Sequence, residues 1–191
     1  MRDMIKPTLA LLVICFVVAL GLAFVNGLTK DTIVERAKQD ALEQRMQVMK
    51  EAKSFELIEG WADGSGLIQE VYSAYDGENL VGFVFSAVPK GYGGEMKVTV
   101  GVGIDKTITG IKVGDNKETP GLGTKAAEDG YEAQYFGIKI TKPLLLVKRP
   151  VTEENEIQAI SGATISSKAV TSAVQACADL GVMLLQEVES K

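Results

Sequence analysis

The chain has 191 residues, with 20 Lys and Arg against 25 Asp and Glu and a net charge of −5. That is room for one domain and a small appendage, and the acidic balance argues against a nucleic-acid surface. There is no histidine and there are two cysteines, so the commonest general base is missing and neither a zinc site nor an iron–sulfur cluster of the usual four-ligand kind can be assembled. Whatever chemistry occurs here is then expected to come from an acquired cofactor.

Residues 8–25 are uncharged and apolar, and with Asn26, Gly27 and Leu28 they are long enough to span a bilayer as a helix. Arg2 and Lys6 precede the run, which predicts the N-terminus in the cytoplasm and the rest of the chain outside. Gly21-Leu22-Ala23 has the small-x-small form of a cleavage site, but the run is longer than a signal core. Bulky Val13-Ile14 before Cys15 argues against a lipoprotein signal. Cys15 lies inside this run and Cys177 in the last helical pattern, so a disulfide between them is not expected.

Residues 29–53 contain no Gly or Pro. Ile33, Ala37, Ala41, Leu42, Met46 and Met49 recur near helical spacing among charges. This predicts a helix leaving the membrane, either packed on the domain or standing as a solvated stalk. The 60–66 stretch (GWADGSG) is a break. Residues 67–75 and 80–88 then read as two strands joined at Asp76-Gly77.

After the loop 89–94, residues 96–104 alternate Met, Val, Val, Val, Ile against Lys, Thr, Gly, Gly. The pattern predicts a strand with one buried face, and its glycines leave room for something close against the other. Asp105-Lys106 turns the chain into a strand over 108–113. Residues 124–136 read as a short helical region and 138–148 as an irregular strand broken at Pro143. The stretch 166–188 is helical, with Val170, Val174, Cys177, Leu180, Leu184 and Val188 on one face. Strands in the middle with helices at the ends predict an α+β fold with an antiparallel sheet.

The stretch Ser161-Gly162-Ala163-Thr164-Ile165-Ser166-Ser167 stands just before that last helix. A Ser/Thr-rich turn in this place is ordinarily an N-cap. The same turn also presents unpaired N–H groups and partial positive charge, which suit a phosphate, and small residues let backbone come close to a ligand. Two further glycine loops precede it, GYGG at 91–94 and ETPGLG at 118–123. Each alone signals no more than a tight turn.

The three loops in this order, behind an N-terminal anchor and with GVGIDKTITGIKV between the first two, resemble the FMN-binding domain family. The likeness spans essentially the whole chain and is greatest to the G subunits of Rnf electron-transport complexes. The resemblance implies an FMN-binding α+β domain at 59–191, preceded by a cytoplasmic N-terminus and transmembrane helix at 1–28 and a juxtamembrane helix at 29–58. It implies FMN joined through its phosphate to the hydroxyl of Thr164, the threonine of the S/T-G-A-T motif. It also implies that a separate flavin transferase attaches it, with FAD as donor. Ser161, Ser166 and Ser167 are then expected to donate hydrogen bonds to phosphate oxygens and Lys168 to add charge, while Gly162 and Ala163 keep the approach open.

Around the ring system the resemblance points to Gly121, Leu122 and Gly123. Glu118 and Thr119 either bond the ring or stabilise the loop, and Tyr92 either packs near the cofactor or is a surface aromatic. The family pattern has a histidine ahead of ETPGLG; Asn116-Lys117 stand here, which puts any contact of that histidine in question. The implied function is a membrane-anchored electron-transfer subunit on the outer face of a bacterial cytoplasmic membrane, in an ion-translocating complex between ferredoxin and NAD. Its implied partners are the other Rnf membrane and iron–sulfur subunits, the flavin transferase and the lipid bilayer, with no nucleic acid. Competing readings are a C subunit of a sodium-translocating NADH:quinone reductase, a stand-alone extracytoplasmic flavoreductase, and a noncatalytic sensor or assembly module.

Overall fold

The computed structural model describes residues 2–62 and 64–189, with side chains from residue 5 onward; Asp63, in the expected 60–66 break, lies outside the described residues. The chain divides into two compact units, Met1–Leu42 and Glu43–Lys191. The first is helical and belongs to α1 (Arg2–Val48). Its apolar side chains, Leu11, Phe16, Leu20 and Phe24 among them, are exposed, as suits a helix surrounded by lipid. It is long and apolar enough to cross a membrane.

The second unit is built on a five-stranded antiparallel sheet in the order β1-β2-β3-β4-β5. The strands are β1 (Ser54–Leu57), β2 (Ile68–Asp76), β3 (Asn79–Ala87), β4 (Met96–Gly103) and β5 (Ile108–Asn116). Asp76 pairs with Asn79 across a two-residue hairpin loop whose first residue, Gly77, has φ +65°. That value favours glycine and matches the twist of the flanking strands. Period-two alternation sorts the strand residues to two faces. Phe83, Phe85, Val98, Val100 and Val102 join Val170, Val174 and Cys177 of α3 (Thr164–Glu189) in the main core, whereas Val84 and Ala74 pack with Val48 and Met49.

β4 is therefore covered on both faces, which corrects the expectation of one buried face. The close neighbour anticipated beside its glycines is the end of α1. A β-carbon at Gly101 would lie 2.6 Å from the Val48 carbonyl oxygen, and one at its cross-strand partner Gly110 would lie 3.3 Å from Val48 Cα. That carbonyl, left over at the helix end, accepts the Thr109 hydroxyl at 2.6 Å. Gln44 accepts the Thr99 hydroxyl at 3.1 Å, and the Arg45 guanidinium sits 3.8 Å from the Tyr72 ring centroid.

The helix thus stops at Val48, short of the expected residue 53, and residues 54–57 of the expected juxtamembrane helix form β1 instead. The Ala52 N–H bonds back to Met49, and the Lys53 N–H already donates to Tyr75 of β2, so pairing with the sheet outcompetes another helical turn. Of the apolar stripe expected on this helix, Met49 is buried while Met46 is exposed.

β5 runs three residues past its expected end, to Asn116. The helical region after it consists of a 3₁₀ turn at Gly123–Ala127, the single turn α2 (Asp129–Glu132) and a 3₁₀ turn at Ala133–Tyr135. Buried Glu132 fixes it to β5, accepting the Val113 N–H at 2.8 Å and the Lys112 ammonium at 2.9 Å. The expected strand over 138–148 shrinks to β6 (Leu145–Val147), paired parallel with β7 (Glu156–Gln158) in a small second sheet not expected from the sequence. Pro143 and the Asn155 amide, which donates to the Pro143 carbonyl at 2.7 Å, set its start. α3 lies across the sheet, mainly on β4. Leu185 is buried at its far end, where Val188 was expected and is exposed.

Candidate functional site

Residues 160–167 fold back before α3 begins. Gly162 takes φ +79°, and the Ala163 N–H donates to Ile160 at 3.0 Å. The Ser167 N–H then closes the first helical turn on the Ala163 carbonyl at 3.0 Å. The Ser167 side chain is buried and works inside this turn: its hydroxyl donates to Ala163 and accepts the Ile160 N–H, both at 3.0 Å. It caps the turn, whereas the sequence led to the expectation of a phosphate contact from it.

The N–H groups of Thr164, Ile165 and Ser166 have no intrahelical acceptor, as in any first turn. They gather the positive end of a long helix at one spot. The Thr164 hydroxyl has no hydrogen-bond partner among the described residues.

Behind the turn, the Tyr135 hydroxyl lies 2.8 Å from Thr171 Oγ1 and 3.1 Å from the Tyr131 hydroxyl, with the rings edge-on at 5.8 Å. Burial pushes the Tyr135 phenol well above its ordinary value of 10. It is a neutral buttress for α3.

The two glycine loops meet this helix through one acid. Buried Glu118 accepts the Gly93 N–H at 3.0 Å and the Ser166 hydroxyl at 2.8 Å. The glycines make the space. A β-carbon at Gly91 would sit 2.1 Å from one carboxylate oxygen, one at Gly123 would sit 2.2 Å from the other, and one at Gly93 would sit 2.0 Å from the Lys117 carbonyl. Leu122 N–H donates to Thr119, and the Thr124 hydroxyl accepts the Gly121 N–H at 2.9 Å, which holds ETPGLG as a compact turn.

Together the loops enclose a cavity of about 560 Å³ lined by Tyr92, Glu118, Thr119, Leu122, Gly123, Gly162, Ala163, Thr164, Ile165 and Ser166. Nine of these were named from sequence; Ile165, exposed on the first turn of α3, was not, and only the helix start could have signalled it. Ser161 and Gly121 are exposed in the same loops but outside this lining. Lys168 lines a different groove, of about 710 Å³ along α3 beside Leu144 and Leu146, which contains none of the three glycine loops. The phosphate contact expected of Lys168 is therefore not one that the cavity brings together. The Ser166 hydroxyl is committed to Glu118.

Residues 91–179 match the FMN-binding domain family. The G subunit of the Na(+)-translocating ferredoxin:NAD(+) oxidoreductase complex of Acetobacterium woodii is 40% identical over 182 residues, covering 88% of this chain and 87% of that protein. The G subunit of the proton-translocating ferredoxin:NAD(+) oxidoreductase complex of Clostridium ljungdahlii is 32% identical over 165 residues, covering 86% and 84%.

Among solved structures, NqrC of Shewanella oneidensis gives a TM-score of 0.57 at 20% identity over 75% of this chain and 74% of that one. The C subunit of the Na(+)-translocating NADH-quinone reductase of Parabacteroides distasonis gives 0.52 at 21% over 68% and 77%. These two share the fold.

The residues present fit an FMN. The cavity has the size of a small-molecule site, the helix N-terminus suits a phosphate, and Tyr92, Leu122 and Ile165 offer exposed apolar surface to a ring system. Identity of this order across nearly the full length of two G subunits, with a family match that runs through all three loops, means that the chain belongs to the FMN-binding G subunits of the ion-translocating Rnf family of redox complexes.

Proposed function

We propose that this chain is a single-pass, membrane-anchored electron carrier whose FMN is esterified through its phosphate to Thr164, and that it relays electrons within an ion-translocating ferredoxin:NAD oxidoreductase complex. The observation that carries the reading is the convergence of three glycine loops on one cavity whose wall includes an unpartnered threonine hydroxyl at a helix N-terminus. FMN supplies one- and two-electron redox chemistry there.

The chain's own residues do the holding. Thr164 provides the oxygen for the phosphoester, and the N–H groups of the first helical turn face the phosphate charge. Leu122, Tyr92 and Ile165 provide apolar contact. Gly162 meets nothing nearer than Leu122, at 3.3 Å from where a β-carbon would stand, so backbone and ligand can approach closely.

Residues 1–28 would hold the protein in the cytoplasmic membrane, 29–58 would link the anchor to the sheet, and 59–191 would carry FMN on the outer side. Arg2 and Lys6, ahead of the apolar run, support that orientation. Covalent attachment suits that side, where free FMN is scarce and a lost cofactor is not readily replaced. The nicotinamide, iron–sulfur and ion sites would belong to the partner subunits, with which the flavin would exchange electrons. The A. woodii and C. ljungdahlii relatives are named for complexes moving different ions, and the coupling ion is a property of the assembled complex.

The test is expression of the full chain with its flavin transferase, followed by a denaturing gel read for flavin fluorescence and by intact mass. Fluorescence that survives denaturation, with a mass increment of one FMN less water, is the expected result, and Thr164→Ala removes both. A wild-type chain with the mass of its amino acids alone would refute the proposal.

A further inference from the structure

Glu118 is a buried acid to which the reading above gives no task. Its residue is 6% exposed. Glu118 belongs to the ETPGLG loop, and its two hydrogen-bond donors, Gly93 and Ser166, belong to the other two loops. Among the described residues no lysine or arginine forms an ion pair with it. It nevertheless lines the same cavity as Thr164. Burying an unpaired carboxylate is costly, and an amide would meet the same hydrogen-bonding geometry without the charge.

We propose that Glu118 is the positioning residue of the flavin site: its carboxylate clasps the three glycine loops into one cavity and places negative charge in the wall, lowering the reduction potential of the bound isoalloxazine. The charge role rests on the FMN reading; the clasp does not. An electron delivered by an external donor adds negative charge near a carboxylate that no cation pairs with among the described residues, and that arrangement opposes reduction.

Two substitutions separate the roles. In Glu118→Gln, the side-chain carbonyl can still accept the Gly93 N–H. The amide can donate to the Ser166 oxygen, which accepts as well as donates. The clasp stays and the charge goes. Glu118→Ala removes both and strands two polar groups.

The clasp is tested on the full chain in detergent, expressed without the transferase, by amide hydrogen exchange. Glu118→Ala is expected to speed exchange about tenfold or more in both 91–94 and 161–167, and Glu118→Gln to stay within about threefold of wild type. Exchange unchanged in either loop of the Ala variant overturns the clasp.

The charge is tested on flavin-loaded protein by dithionite titration against a reference dye. The reduced-to-oxidised flavin ratio at a fixed potential is expected to rise at least about tenfold in Glu118→Gln, the effect of a unit charge within about 12 Å at an effective dielectric of about 20. An unchanged or lower ratio overturns this role. If the Gln variant does not load, Glu118→Asp keeps the charge on a shorter stem and is expected to hold the wild-type ratio within about threefold, a tenfold rise overturning the proposal. Wild-type protein without flavin refutes the FMN reading and the charge role together, while the exchange experiment still decides the clasp.

Discussion

At the scale of single residues, the three loops are glycine-rich because specific atoms occupy the space of the missing side chains. Gly93 is the plainest case. Its β-carbon would fall 2.0 Å from the Lys117 carbonyl oxygen and 2.8 Å from the carbonyl carbon, both backbone atoms that no side-chain rotation can move aside. Gly93→Ala should therefore destabilise the domain by about 1–3 kcal/mol, the usual cost of overpacking, and should open the contact between GYGG and Glu118. Thermal unfolding of the flavin-free chain checks this, and a variant as stable as wild type would contradict the packing described. Sequence alone showed glycines in a row; which neighbours demanded them was invisible, because Lys117 and Glu118 are distant from Gly93 along the chain.

At the scale of elements, the last turn of α1 is seated on the sheet by a pair of facing glycines. Gly101→Ala would place a methyl 2.3 Å from Thr109 Oγ1 and 2.6 Å from the Val48 carbonyl oxygen. It should cost about 1–3 kcal/mol and break the Thr109 cap, seen as lowered melting temperature together with faster amide exchange around residues 45–52.

The small β6–β7 sheet depends on a different bond. Glu156 is buried, and its carboxylate takes the Arg149 guanidinium together with the Thr152 and Glu153 N–H groups. The Arg149 contact above all, helped by those donors, lowers its pKa from 4.5 to about 2. A depressed carboxyl pKa means stability that is present in full above the unfolded value and lost as pH falls through the folded one. The melting-temperature advantage of wild type over Glu156→Gln should hold at neutral pH and shrink between about pH 4.5 and about pH 2. An advantage independent of pH across that window would show that the pair does not stabilise through charge.

At the scale of the whole molecule, residues Glu43–Lys191 form a compact unit of their own, so the anchor can be removed without removing the core. A chain beginning at Thr29 keeps Gln44, Arg45, Val48 and Met49, which complete the second face of the sheet. It is expected to be recovered in the soluble fraction with the same domain melting temperature, whereas the full chain sediments with membranes. Retention of the truncated chain in membranes would assign the anchoring to another surface. α3 is also long and apolar, but its apolar side lies in the core, so it is not a second span.

Local pattern was enough for those features whose physics is local. The apolar run defines the spanning helix, alternation and glycine turns define β2 to β5, the Ser/Thr turn marks the start of α3, and ordered loops carry the likeness to FMN-binding proteins. Only the tertiary structure decided what each buried polar group does. It turned Ser167 into an internal cap, Ser166 and Glu118 into a bond between loops, Lys168 away from the cavity, and residues 54–57 from helix into strand. The reason is that a hydroxyl, a carboxylate or a short apolar stretch takes its role from the partner that folding brings to it: Ser167 finds its partners four and seven residues back in its own turn, but Ser166 meets Glu118 across 48 residues and Glu118 meets Gly93 across 25.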